Sequence, residues 1–319
     1  MLPNQELISQ GKTGIEVPLI GVGAMAWGDR FFWGYGRAYS ETDVKSAFEA
    51  SLDAGVTFFD TAEIYGSGIS ETLLGKFLRE SSRPQGAPAI VVATKFFPFP
   101  WRIQRGSLKQ ALINSLKRLQ MERVDLYQVH WPFPPIPVET WASALADVVE
   151  GGLTKAVGVS NYNADQMRRA QSVLAKRGVL LASNQIEFSL INRKIERNGV
   201  LKLCQEMGVT CIAYSPLGRG ILTGKYSTKN PPAGIRGRRY PTRLLERAEP
   251  LLRLLREIGQ EHGERTPGQV ALNWVISKGA VPIPGAKNSH QAQENAGALG
   301  WHLSESEISA LDKVSDRLS

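Results

Sequence analysis

Cysteine and histidine are scarce in this sequence: 319 residues hold two of the first, Cys204 and Cys211, and four of the second. The two cysteines sit on neighbouring helix-like and strand-like runs without a CxxC spacing or a histidine-rich surround. That predicts reduced, buried thiols and argues against a disulfide framework or a zinc site. Long apolar runs are missing too, none approaching the ~20 residues that a membrane span needs. The opening MLPNQELISQ lacks the basic start, apolar centre and small-residue cleavage pattern of a signal peptide. A cytoplasmic chain with no membrane partner is therefore expected. No Gly/Ser linker or low-complexity stretch divides the sequence. One domain over 1–319 is expected, although the length would allow two.

Positive charge, by contrast, is plentiful. Thirty-eight Lys and Arg against 30 Asp and Glu give a formal charge of +8 and a pI near 9.5. Part of the excess is local, since Arg219, Lys225, Lys229, Arg236, Arg238, Arg239 and Arg243 follow one another with no acid between them. Such a stretch is either a solvated basic loop or a clasp for a polyanionic small molecule. No nucleic-acid motif accompanies it, so nucleic acid is not an expected partner. The rest of the composition, 42% hydrophobic and 21% charged, is that of an ordinary globular chain able to bury a large core.

Short β-branched runs alternate with longer amphipathic ones. Leu19–Gly23, Val56–Asp60, Ala89–Lys95, Val124–His130, Ala156–Asn161, Ser183–Glu187, Thr210–Pro216 and Val281–Pro284 read as strands. Between and after them, helices are predicted over Asp43–Ala54, Ser70–Leu78 (with Ser70 as its cap), Ser107–Leu119, Val138–Val149, Ala164–Lys176, Asn198–Met207, Leu244–His262, Thr266–Ser277, Ser289–Leu299 and Glu305–Arg317. Strand–helix alternation implies parallel strands with crossover helices, and eight units close as a (β/α)8 TIM barrel. A hairpin over Glu6–Val17, turning at Gly11–Gly14, would plug its bottom, and extra helices close the chain. A Rossmann sheet is disfavoured, because Gly21, Gly23 and Gly28 lead into aromatic residues rather than into a helix.

Catalytic groups of such barrels come from the C-terminal ends of strands. Asp60, Tyr65, Lys95 and His130 lie at or just beyond such ends. A phenol with a pKa near 10 is a poor acid or base by itself. A nearby ammonium favours the phenolate and lowers that pKa, a carboxylate keeps the ammonium charged, and a histidine can donate to a carbonyl oxygen as charge develops there. The set suits proton donation to a carbonyl that is receiving a hydride. Taken singly, each has a plainer reading: a structural ion pair, a packed aromatic, a satisfied core histidine.

The segments GVTFFDTAEIYGSGISETLLGKFL at 55–78, VATKF, LYQVHWP, GVSNY at 158–162 and YSPLGRGILTGK at 214–225 stand in the order found in aldo-keto reductases. Over essentially its whole length the chain resembles that family. The resemblance implies reduction of small aldehydes or ketones with NADPH. It implies Tyr65 as general acid, Lys95 lowering its pKa, Asp60 paired with Lys95, and His130 orienting the carbonyl. For the nicotinamide it points to Ser160, Asn161 and Gln185, with Tyr214 stacked on the ring. Ser215, Leu217 and Gly220 would approach the pyrophosphate, and Lys225 joins the cofactor-binding set. Lys287 would take a 2′-phosphate beside Gln291, with Glu294 and Asn295 at the adenine. Gly285 and Ala286 replace the Lys-Ser pair of one branch, and Gln291 its arginine, which leaves NADH open. The stretch QAQENAGALGW is similar to a plastid and cyanobacterial branch containing pyridoxal reductases.

Trp27, Trp33, Trp101 and Trp131, with Tyr35, Phe97 and Phe99, follow strand ends and are expected to line an apolar substrate pocket, or else to pack a lid. Two other readings compete. A cofactor-binding regulatory subunit resembling potassium-channel β subunits would bind NADPH with little turnover. A barrel metal hydrolase needs several histidine and carboxylate ligands at strand ends, and only His130 is so placed, so no metal is expected.

Overall fold

Leu7–Ser9 (β1) and Glu16–Pro18 (β2) pair antiparallel with Ile8 opposite Val17. The turn between them needs Gly11. Its φ is 60°, its N–H donates to Thr210 Oγ1 at 2.7 Å, and a Cβ there would come within 2.8 Å of the Ala182 carbonyl oxygen. The hairpin therefore lies flush against the end of the sheet at which the strands begin. Val17 is fully buried and packs with Phe58, Leu126, Ala156, Ile212 and Val281 in the barrel interior. The expected plug is in place. The computed structural model describes residues 6–82, 84, 86–231 and 242–318. Arg236, Arg238 and Arg239 of the basic stretch fall outside the described residues.

Eight parallel strands follow: Val22–Gly23 (β3), Phe58–Asp60 (β4), Val91–Phe96 (β5), Val124–Val129 (β6), Thr154–Ser160 (β7), Leu181–Glu187 (β8), Thr210–Tyr214 (β9) and Ala280–Pro282 (β10). Each pairs with its neighbour in sequence order from β3 to β10. Gly21 N–H donates to Pro282 O at 2.9 Å and Gly23 N–H to Pro284 O at 3.0 Å. These bonds join the first strand of the ladder to the last and close the barrel.

The crossover helices are Glu41–Asp53 (α1), Ile69–Glu80 (α2), Gly106–Leu119 (α3), Val138–Glu150 (α4), Ala164–Ala175 (α5), Lys194–Arg197 (α6), Val200–Met207 (α7), Thr242–Glu261 (α8), Pro267–Ser277 (α9), Ser289–Ala296 (α10) and Glu305–Ser315 (α11). Local chemistry sets their starts. Ser40 with Asp43, Asn163 with Gln166, Thr266 with Gln269 and Ser304 with Glu307 form reciprocal capping boxes, each satisfying amide groups that a helix start leaves open. Two expectations are corrected here. Ser70 does not cap α2, which begins at Ile69 after Gly68 in the left-handed region. Its hydroxyl instead bonds Thr61 Oγ1 at 2.8 Å and Ala24 O at 2.9 Å, tying the helix to two strand ends. The single helix expected over Asn198–Met207 begins only at Val200, behind a left-handed Gly199, with the short α6 before it.

Period-two alternation divides the core into two zones. Phe58 faces the barrel interior, while Phe59 packs outward against Trp27 and Phe48 beneath the helices. Along the interior face, apolar Phe58, Ala93 and Leu126 give way two residues later to Asp60, Lys95 and Gln128. The barrel is thus oily where its strands begin and polar where they end. Cys204 and Cys211 are free and buried, and a hydrogen bond with Cys204, with burial, pushes the Cys211 thiol well up. Such a thiol stays protonated and unreactive.

Candidate active site

The polar end of the barrel is organised around Lys95. Its side chain is fully buried and Asp60 is 1% exposed. The ammonium donates to Asp60 Oδ1, to the Thr61 carbonyl at 2.8 Å and to Tyr65 Oη at 3.4 Å. Asp60 Oδ2 accepts from Gln185 Nε2 at 2.8 Å and Gln128 Nε2 at 3.1 Å. Three donors thus hold the carboxylate in place. Burial works to lower the Lys95 pKa, but Asp60, with Tyr65, outweighs it and the net direction is upward. The ammonium stays charged despite its dry surroundings, as a buried ion must when its partner is well bonded.

Tyr65 opens a tight turn after β4, with Gly66 and Ser67 in the left-handed region. Its ring meets the His130 ring edge to face at 5.7 Å, and Lys95 Nζ lies 4.9 Å from the ring centre. Lys95 does favour the phenolate, as expected, but the net shift is corrected. Burial is the largest influence and raises the Tyr65 pKa, Asp60 adds to it, and Lys95 offsets only part. The phenol is therefore held protonated at neutral pH, the form that can donate. Burial and the charge on Lys95 push the His130 pKa well below its ordinary 6.5, so the imidazole is neutral. Its Nδ1 is buried without a hydrogen-bond partner.

Beside these groups the ends of β7, β8 and β9 form one network. Ser160 Oγ donates to Gln185 O at 2.8 Å. Asn161, at a φ of 63°, donates to His130 O at 3.1 Å and Ser160 Oγ at 3.0 Å. Tyr214 Oη donates to Asn161 Oδ1 at 3.0 Å. Gln185 turns its amide nitrogen onto Asp60, a role that the sequence did not suggest. Ser215 and Leu217 lead into the turn Gly218–Thr223, where Gly220 has a φ of 99°. A Cβ at Gly220 would come within 3.1 Å of Lys225 Cε, so the lysine stem lies across the space that the glycine leaves. Lys287 follows β10. Its N–H donates to Gln291 Oε1 at 3.0 Å, and Asn295 Nδ2 donates to Gly285 O at 3.3 Å. Glu294 lies on the same helix, its carbonyl accepting from Gln269 Nε2 at 3.1 Å. Amide and hydroxyl groups at one end, glycine backbone in the middle and two lysines further on fit a nicotinamide dinucleotide. No cluster of potential metal ligands occurs among the described residues.

The four tryptophans do not act together. Trp27 is corrected outright: it is fully buried, packs on Phe77 at 6.0 Å and donates to Ala286 O at 2.8 Å, so it belongs to the core. The Trp33 ring lies 5.5 Å from Lys287 Nζ. Trp101 and Trp131 remain at the mouth. Trp101 is 72% exposed and stacks on Phe99 at 4.6 Å; Trp131 stacks on Phe133 at 5.5 Å. Phe97 joins them to the site, 5.6 Å from the His130 ring. The sequence reading missed Glu63 and Arg102. Glu63 accepts from Phe97 N–H at 2.7 Å and from both terminal nitrogens of Arg102, linking the segment that carries Tyr65 to the aromatic rim. An acid two residues before Tyr65 was its only trace in the sequence.

The Aldo/keto reductase family model matches residues 19–316. The chloroplastic pyridoxal reductase of Arabidopsis thaliana is 42% identical over 301 residues, 92% of this chain and 82% of that protein. Among solved structures, a thermostable aldo-keto reductase in complex with the inhibitor epalrestat superposes with a TM-score of 0.76 at 31% identity, covering 97% of this chain and 99% of the other. An aldo-keto reductase from Klebsiella pneumoniae in complex with NADPH gives 0.75 at 26% identity, covering 98% and 95%.

Proposed function

The chain belongs to the aldo/keto reductase family of oxidoreductases, and on that premise we propose that it reduces the carbonyl of small aldehydes or ketones to alcohols, using NADPH, with Tyr65 as the proton donor. The observation that carries this reading is Lys95 Nζ, bonded to Asp60 and 3.4 Å from Tyr65 Oη, beside the neutral ring of His130 at the polar end of the barrel.

A bound reduced nicotinamide supplies the hydride. The chain supplies everything else. His130 offers an imidazole N–H to the carbonyl oxygen and fixes where that oxygen sits. Tyr65 Oη gives up its proton as negative charge develops there. Lys95 stabilises the resulting phenolate, and Asp60, itself held by Gln128 and Gln185, keeps Lys95 aimed. Lys225 and Lys287 favour the more anionic NADPH over NADH. The stacked aromatic rim of Trp101, Phe99, Trp131 and Phe133 suits a flat, uncharged substrate. With the likeness to a pyridoxal reductase, this makes pyridoxal the first substrate to try.

The test is cofactor oxidation with a panel of aldehydes including pyridoxal and a nitrobenzaldehyde, run in parallel with Tyr65→Phe and with NADH. Turnover on at least one carbonyl that is lost in Tyr65→Phe is expected. Tight NADPH binding without turnover on any carbonyl would overturn the enzyme reading in favour of a cofactor-binding regulatory subunit.

A further inference from the structure

We propose that Trp33 and Tyr39, on the loop between β3 and α1, determine the preference for a 2′-phosphate on the cofactor by caging the ammonium of Lys287. The inference rests on the NADPH reading above and extends it to two residues far from the reacting atoms.

Lys287 Nζ lies 5.5 Å from the centre of the Trp33 ring and 5.0 Å from that of Tyr39. Both distances fall within the range over which a ring face attracts a cation. The rings are themselves held. Tyr39 is 8% exposed, donates its hydroxyl to Ala26 O and packs on Tyr35 at 5.8 Å. Trp33 meets Phe32 edge to face at 5.1 Å. Asp29 Oδ1 accepts from the Phe31 and Phe32 amides, and Tyr35 N–H closes onto Asp29 O at 2.9 Å, so the loop is internally braced.

The other side of the cage is fixed as well. Trp27 bonds the carbonyl of Ala286, immediately before Lys287, at 2.8 Å. Gln291 holds the Lys287 amide at 3.0 Å, and Ser289 N–H reaches Ser46 Oγ on α1 at 3.2 Å. A lysine is a flexible point charge, and ordering its stem weakens whatever it binds. Aromatic faces order it through the attraction of the ring quadrupole for a cation. The ammonium is thereby positioned beside the segment that the proposed cofactor site uses at its adenosine end. With Gln291 occupied by backbone, this cage supplies the preorganisation that a forked arginine would otherwise bring.

The test uses the full chain and two probes that lack the nicotinamide, 2′,5′-ADP and 5′-AMP, with affinities measured by calorimetry. Wild type is expected to favour 2′,5′-ADP. Trp33→Leu should reduce the ratio of the two affinities about two- to fivefold, the weight of one such ring. Tyr39→Phe, which keeps the ring, should retain most of the ratio. Unchanged 5′-AMP affinity in both variants reports an intact fold. In a Lys287→Met background Trp33→Leu should change the ratio no further, since the ring then has no cation to hold. A ratio that Lys287→Met collapses but Trp33→Leu leaves unchanged, or raises, overturns the cage and leaves the cofactor reading standing. A ratio that Lys287→Met itself leaves unchanged removes the phosphate from Lys287, and the cage falls with that assignment.

Discussion

Exchanging the two members of the buried ion pair, singly and together, separates what holds the barrel from what does its chemistry. In Asp60→Asn the Lys95 ammonium, fully buried, keeps only neutral acceptors, the oxygens of Thr61 and Tyr65 and the new amide oxygen where it is not turned to the glutamines. An uncompensated buried charge costs about 3–5 kcal/mol, and the upper half of that range is expected. In Lys95→Met the Asp60 carboxylate still accepts from Gln128 and Gln185, so its cost should sit near the lower end. The double variant has no buried charge, and the introduced amide oxygen can still accept from both glutamines. It should cost about 1–2 kcal/mol, less than either single change. An unfolding entropy of roughly 2.1 cal/mol/K per residue makes 1 kcal/mol worth about 1.5 °C in a chain of this length. Expected Tm losses are then about 6–7 °C for Asp60→Asn, 4–5 °C for Lys95→Met and 2–3 °C for both together. Thermal unfolding at neutral pH reads these, and an aldehyde assay on the same samples should find all three nearly inactive. Additive Tm losses, or a greater loss in Lys95→Met than in Asp60→Asn, would refute the reasoning.

Three further outcomes follow from the site. Tyr65 Oη has one long bond, 3.4 Å to Lys95, so Tyr65→Phe should shift stability by less than about 1 kcal/mol while lowering kcat by roughly 100-fold or more, the weight of a general acid; a large Tm loss would mark the residue as structural. His130 is held neutral in the folded chain, its pKa well below the 6.5 of an exposed histidine. The unfolded chain therefore binds the extra proton first as pH falls, and stability is present above pH 6.5 and lost below it, by up to about 1.4 kcal/mol per pH unit. Tm curves from pH 7.5 to 5 should converge for wild type and His130→Gln as the pH drops, and parallel curves would remove this assignment. Glu63→Gln weakens a charge-assisted clamp on Phe97 and Arg102, worth about 2 kcal/mol; a Tm loss of about 3 °C with a raised KM for aromatic aldehydes is expected, and an unaltered KM would detach the rim from the clamp.

Most of the architecture could be read from the sequence, because its signals are local. Strand and helix alternation, capping residues and the glycine turn of the hairpin each act over a few residues, and the elements fall within a few residues of where periodicity puts them. Asp60 and Lys95 were legible for a related reason: period two places them on the same inward face as Phe58 and Ala93, at strand ends where a barrel is polar. The failures at the site depend on distant partners. Nothing near Trp27 tells a rim tryptophan from a core one; Phe59, Phe77 and the carbonyl of Ala286, 259 residues away, decide it. Trp33 meets Lys287, which arrives from the far end of the chain, and no local signal announces that contact. The Tyr65 shift turned on a sum of opposed effects: the sequence supplied the lysine that lowers the pKa, but only the fold supplied the burial that outweighs it. That last failure bears on the direction of chemistry. A phenol kept protonated by its surroundings is ready to give a proton before any ligand arrives, whereas accepting one from an alcohol requires it first to be ionised. On the proposed reductase reading, oxidation of an alcohol should therefore need a higher pH than reduction for the same kcat/KM.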